Sequence, residues 1–234
     1  MKTWAGWMLI MTAGLLWAED APDPAKIPLE KAIMPRAEGA EWHYTSFWFD
    51  EGRLKSSGSV VEEVLERISV DGVDSYKIKR TFDFRTLTER LSGMLATEDT
   101  VDTFWEFSEE KGVRSLGRWG FEDVPAPSSL KPFQLLFPYP TKKGHTYKVG
   151  EVTWKVLDET REVTVPVGSF KCVVYQSVHT TGNEEHWSRD RVYLAPGTGL
   201  VKMEIDAYRN GKWVLDTWDE LVSFTLPGRK VSSD

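Results

Sequence analysis

Residues 165–204 read VPVGSFKCVVYQSVHTTGNEEHWSRDRVYLAPGTGLVKME, and the way this stretch alternates and turns decides the fold. Pro166 cannot donate to a sheet ladder, and Gly168 supplies the backbone freedom needed to re-enter one. Residues 165–168 therefore read as a turn feeding a strand over 169–178. Gly182-Asn183 marks a reversal, and Pro196-Gly197 a tight turn from which Leu200 and Val201 resume a strand with opposite faces. The stretch describes antiparallel β-structure, and none of it requires a ligand.

The same grammar extends outward. Asp71-Gly72 and Asn210-Gly211 favour φ > 0 at both central positions, as a type I′ hairpin requires, and Lys111-Gly112 marks another reversal. Residues 75–84 alternate with period two, placing Tyr76, Ile78, Arg80, Phe82 and Phe84 on one face. Residues 213–224 place Trp213, Leu215, Thr217, Asp219 and Leu221 opposite Val214, Asp216, Trp218, Glu220 and Val222. Residues 60–70 are ambiguous: Val60, Val61, Val64, Leu65 and Ile68 recur at helical spacing. The Asp71-Gly72 hairpin needs an extended partner, which favours a strand.

Residues 124–140 differ in character. Five prolines (Pro125, Pro127, Pro132, Pro138, Pro140) alternate with Phe133, Leu135, Leu136, Phe137 and Tyr139. Proline excludes a central strand, and the apolar content argues against a free linker. The stretch is expected to cross one opening or face of the sheet, as a core plug or as a lid. Phe133, Leu136, Phe137 and Tyr139 are the candidate ligand-binding residues.

The N-terminus reads as a secretory signal over 1–18, with Lys2, an apolar run and Leu16-Trp17-Ala18. That run is too short to span a bilayer comfortably, so no stable membrane span is expected after cleavage. The expected destination is the periplasm or the medium. Residues 19–39, with Pro22, Pro24, Pro28 and Pro35, read as a flexible arm, 40–225 as a single β domain, and 226–234 as a polar tail. Cleavage removes one positive charge, taking the formal charge from −7 to −8, which disfavours nucleic acid as a partner. Cys172 is the only cysteine, so no internal disulfide forms, and its place beside Phe170 and Val174 reads as a buried, inert thiol.

The phrases Val165-Pro-Val-Gly-Ser-Phe170-Lys171, Trp187 and Tyr193-x-Ala195-Pro196-Gly197-x-Gly199-Leu200-Val201-Lys202 carry a resemblance. They resemble a "VPAGTF…W(Y)APGVGLVK" cassette of uncharacterised exported bacterial β-sheet proteins. Phe137-Pro138 followed by Lys148-Val149-Gly150 and Trp154 is similar to the lead-in of that group. Val167 and Thr198 depart from its commoner residues. The resemblance implies a large curled antiparallel sheet, broadly similar to the half-barrels of periplasmic lipoprotein carriers. It implies no catalytic residue.

Chemistry is sparse. If Gly182-Asn183 alone form the loop, His179 faces His186 and Glu184 lies on the same face. Two imidazoles and a carboxylate would make an open metal site, although a longer loop changes that pairing. No nucleophile elbow, phosphate loop or dinucleotide fingerprint is present. Eleven tryptophans, three of them in 1–18, leave eight to fill a curved sheet, line an apolar groove or stack on sugars.

These readings converge on an all-β fold, a long antiparallel meander curled into an open half-barrel and crossed by the Pro-rich segment. The expected function is non-catalytic, with no cofactor: an envelope protein binding an apolar or amphipathic, lipid-like molecule in the concave face. A structural or protein-interaction module of the envelope, and a metal-dependent hydrolase at His179, His186 and Glu184, are the alternatives.

Overall fold

The computed structural model describes residues 29–83, 100–109, 111–116, 125–131, 133–180, 187–227 and 229–232. Among them there is no helix. The strands are β1 (Glu41–Asp50), β2 (Arg53–Val70), β3 (Val73–Asp83), β4 (Thr100–Glu109), β5 (Gly112–Leu116), β6 (Gln134–Pro138), β7 (Thr146–Val149), β8 (Val152–Val165), β9 (Gly168–His179), β10 (Ser188–Ala195), β11 (Gly199–Arg209), β12 (Lys212–Leu226) and β13 (Arg229–Ser232). Twelve run antiparallel in the order β6-β5-β4-β3-β2-β1-β12-β11-β10-β9-β8-β7, and β13 adds to β12. The sheet curls into a nearly closed barrel. Its one unsealed seam lies between β6 and β7, where the Tyr147 hydroxyl donates to the Leu136 carbonyl at 3.0 Å.

The turn chemistry accounts for the hairpins. Asp71 and Gly72 have φ of 49° and 79°, and Asn210 and Gly211 have 51° and 76°, the left-handed pair a type I′ turn demands. Glu51-Gly52 makes a third such turn, with φ of 50° and 78°. Clamped by two-residue turns at both ends, residues 53–70 form strand β2 between β1 and β3. Its helix-like spacing arises because Val60 and Val64 face inward, and a register shift between Val64 and Glu66 then carries Ile68 to a cluster with Trp105.

Three stretches outside the regular alternation take part in the fold. The described part of the arm is packed: Ala32, Ile33, Met34 and Arg36 are buried, because this stretch supplies apolar side chains and a paired charge to the barrel interior. The Gly197 amide donates to the Ala32 carbonyl at 2.9 Å, and a Cβ on Gly197 would lie 2.9 Å from the Glu30 carbonyl oxygen, so only glycine allows this approach. Residues 229–232 of the expected tail pair with β12, and Val231 packs against the core. Within the Pro-rich segment, 134–138 form β6 at the end of the sheet order, a position where a strand tolerates Pro138.

The β8–β9 hairpin exchanges the face it buries. Trp154 and Val156 face inward with Ser177 and Tyr175, their register partners. Register shifts at Val156/Asp158 and Asp158/Arg161 follow. Beyond them Val163, Val165 and Cys172 are buried, together with the half-buried Phe170. These belong to the other alternation of β9. The bulges bend the hairpin, as extra residues in one strand do, and β8 reaches β11 and β12, which are not its neighbours in the sheet. Burial pushes the Cys172 thiol up to about 12, so it is inert.

Candidate functional site

The four residues expected to bind a ligand do not form one pocket. Phe133 packs edge-on against Phe107 at 5.0 Å, in a small cluster with Trp105. Trp105 and Phe107 alternate along β4 with Phe104 and Glu106, which face the barrel, so this cluster sits on the outer face. Phe137 lies inside, 5.6 Å from Trp154 and 5.1 Å from Tyr175 between ring centroids. Leu136 and Tyr139 pack beside the main core. The connection before β6 covers the outside of the sheet, and β6 itself lines the inside.

The expected metal pairing is not the register formed. His179 is the partner of Ser188, two residues beyond His186, because the loop is longer than two residues. Glu184 and His186 lie outside the described residues. The His179 Nε2 is 3.2 Å from Asp190 Oδ2 and 3.3 Å from Ser177 Oγ, and that hydroxyl donates to Asp190 Oδ2 at 3.2 Å. Burial raises the Asp190 carboxyl against the pull of His179 and Ser177. A nucleophile relay needs serine and aspartate on opposite imidazole nitrogens. Here one nitrogen meets both, and Ser177 is fully buried, so the trio is not arranged as such a relay. Among the described residues no group of three or more His, Cys, Asp or Glu side chains is placed to hold a metal.

The middle of the barrel is filled. Trp42, Tyr44, Ile78, Arg80, Tyr175, Leu221 and Phe224 are each less than 2% exposed. Arg36 runs into this space over the Trp42 ring. Its Nη2 donates to Glu62 at 2.9 Å and its Nε to Glu106 at 2.8 Å. Burial opposes the charge on Arg36, but Glu106 and Glu62 outweigh it and hold the guanidinium above its ordinary value. The two carboxyls diverge. Burial raises both, yet Arg36 and then Arg80 pull Glu62 below its usual range, whereas Glu106, also facing Glu62, stays raised. Asp219 is raised by burial and accepts from the Ser46 hydroxyl. Arg80 sits over the Tyr44 and Phe82 rings at 5.9 and 5.6 Å, on the inward face its alternation predicts.

Open space lies instead at the bend of the β8–β9 hairpin. A cleft of about 470 Å³ is lined by Glu159 and Thr160 of β8, by Ser169, Lys171 and Val173 of β9, by the β10–β11 turn at Pro196 and Thr198, and by Tyr139. The face of β9 that lines the barrel at Val173 and Tyr175 carries Ser169 and Lys171 into the cleft. Its volume falls in the range of small-molecule sites, about 300–1,000 Å³. The sequence marked Phe170, Lys171 and Pro196 only as parts of a turn-and-strand phrase. The cleft depends on bulges in β8 that no turn residue announces.

The outer face of β1, β12, β11 and β10 carries aromatic and charged side chains together. Tyr208 lies 5.1 Å from both Trp187 and Trp213, and Trp218 lies 5.3 and 5.2 Å from Phe47 and Phe49. Strict alternation separates Trp213 from Trp218. The register shift at Ile205/Asp206 turns both outward, beneath Arg189 and Lys202 respectively.

No family model matches the chain, and no curated protein is similar to it. A solved structure of a candidate lipoprotein from Parabacteroides distasonis ATCC 8503 has the same fold. It matches with a TM-score of 0.51 at 14% identity, over 83% of this chain and 99% of that one. A candidate exported protein with a YmcC-like fold from Bacteroides fragilis NCTC 9343 aligns over 82% of this chain and 98% of its own, at 16% identity and a TM-score of 0.49. At these identities the likeness is one of fold.

Proposed function

We propose that this chain is an exported, non-catalytic protein of the bacterial envelope that holds an amphipathic molecule in the cleft at the β8–β9 bend. The observation carrying this reading is the cleft itself, where apolar groups (Tyr139, Phe170, Val173, Pro196) and polar ones (Glu159, Thr160, Lys171, Thr198) share one concavity. The filled barrel supports placing the ligand there rather than in the concave centre. The signal-like N-terminus supports export, as does the designation of the Parabacteroides fold neighbour as a candidate lipoprotein. Native mass spectrometry of the protein extracted from its producing cells tests the reading. A bound amphiphile lost on blocking the cleft with Ser169→Trp is the expected result. A ligand-free protein that also takes up no added amphiphile would end it.

A second reading, a protein-interaction module, is favoured by the half-exposed Trp187, Tyr208, Trp213, Trp218, Phe47 and Phe49 on the outer face. Exposed apolar groups gathered on one face mark contact surfaces. Trp218→Ser that abolished co-purification of an envelope protein, without changing the cleft's ligand, would establish it.

A further inference from the structure

We infer that the cleft selects amphiphiles with an anionic head, a carboxylate or a phosphate monoester, and that Lys171 receives that head; this rests on the reading of the cleft as the binding site. Two charged side chains line the cavity, Glu159 and Lys171, and they are not equivalent. The Glu159 carboxylate accepts the Lys143 backbone N–H at 2.7 Å, so it is engaged in fixing the β6–β7 connection. Lys171 makes no ion pair among the described residues. Glu162 is its register partner across the hairpin, yet the two form no ion pair. Neither side chain has an ion-pair partner among the described residues, but one Glu159 oxygen is already taken by a backbone N–H. That leaves the ammonium as the charged group in the cleft with its hydrogen bonds still to make. An anion seated there gains a charge-assisted contact, stronger than a neutral hydrogen bond.

The surroundings fit such a head. Ser169 presents its hydroxyl one step along the same face, where it also bonds the Thr164 hydroxyl at 2.8 Å, and Thr160 lies across the bend. Phe170, Val173, Pro196 and Tyr139 also line the cleft and offer apolar contacts to the start of an alkyl chain. A cationic head would meet the like-charged ammonium, and would have to share Glu159 with the Lys143 N–H.

The test is calorimetric titration of the purified mature protein with dodecanoate, dodecyl phosphate, dodecyltrimethylammonium and dodecanol, below their aggregation limits. Lys171→Met and Lys171→Glu variants are titrated beside the wild type. Lys171 is exposed, so both variants should fold, which their melting temperatures check. The expected result is binding of the anionic amphiphiles, weakened about tenfold or more by Lys171→Glu. Preference for carboxylate over phosphate, or the reverse, supports the inference and names the source. Equal binding of anionic and cationic heads, or binding indifferent to Lys171→Glu, overturns it and leaves the cleft as a site. Failure of all four ligands to bind overturns both the inference and the reading beneath it.

Discussion

Arg36, from the segment preceding the first strand, donates its Nη2 to Glu62 on β2 at 2.9 Å while its Nε holds Glu106 on β4. All three are buried, and the bridge ties the N-terminal segment across two strands of the barrel. Removing the cation leaves two carboxylates in a space built around it. Arg36→Met should therefore cost about 3–5 kcal/mol of stability, the usual penalty for orphaning a buried charge. The triple change Arg36→Met, Glu62→Leu, Glu106→Leu should recover most of that loss, since apolar replacement of a whole buried cluster is often neutral. Urea unfolding measures both, and a triple variant no more stable than Arg36→Met would contradict the account.

Asp219 gives a pH signature of the same interior. Burial holds its folded pKa above the ordinary 3.8, so the folded chain keeps this proton when the unfolded chain has released it. Stability from this group falls as pH rises from 3.8 to the raised value and is level above it. Asp219→Asn keeps the shape and an acceptor for Ser46 but has no such fall. The melting-temperature difference in favour of the variant should widen through the acid range and then flatten. A difference that narrows as pH rises would be incompatible with a raised carboxyl.

The fold was legible wherever turn chemistry and strict alternation coincided. Asp71-Gly72 and Asn210-Gly211 name their turns, and period-two alternation puts Tyr76, Ile78, Arg80 and Phe82 on one face, as the structure does, including the charge within it. Legibility failed at bulges, since one extra residue reverses every later side chain. Alternation alone therefore puts Trp213 with Asp219 although it faces outward, and it does not show the bend that makes the cleft. Nothing local marks Glu62 as an inward-facing charge, since its partner Arg36 lies in a stretch whose prolines suggest an unpacked arm. Such partners are set by tertiary contact over long separations, which local pattern does not encode.

Phe133 and Phe137 stand four residues apart but on opposite faces of the sheet, in clusters with no shared member. Each change to alanine should cost about 3–5 kcal/mol. Because they share no partner, the double variant should equal the sum within about 0.5 kcal/mol. A larger coupling would show that the two rings act as one lid after all.

Gly112 permits β6 to pair. Its φ is 128°, and a Cβ there would sit 2.0 Å from the Phe137 carbonyl oxygen and 2.8 Å from Pro138 Cα. Both obstacles are backbone and cannot step aside. Gly112→Ala should destabilise by more than about 1 kcal/mol and strip hydrogen-exchange protection from the Tyr139 amide, which donates to the Lys111 carbonyl at 2.9 Å. Unchanged protection would mean that β6 is held from the Tyr147 side of the seam instead.

The Glu51-Gly52 turn carries a correctable local conflict. Glu51 is exposed and adopts φ of 50°, a left-handed conformation in which a Cβ bearing a long side chain is disfavoured and asparagine is preferred. The flanking pair Asp50 and Arg53 closes the hairpin, so the turn geometry is imposed by the strands rather than by Glu51. Glu51→Asn should relieve the conflict and raise stability by about 0.5 kcal/mol. The urea midpoint should rise with an unchanged slope, since neither end state changes compactness. A midpoint that fell would mean that the carboxylate of Glu51 supports the turn by a contact outweighing its backbone cost.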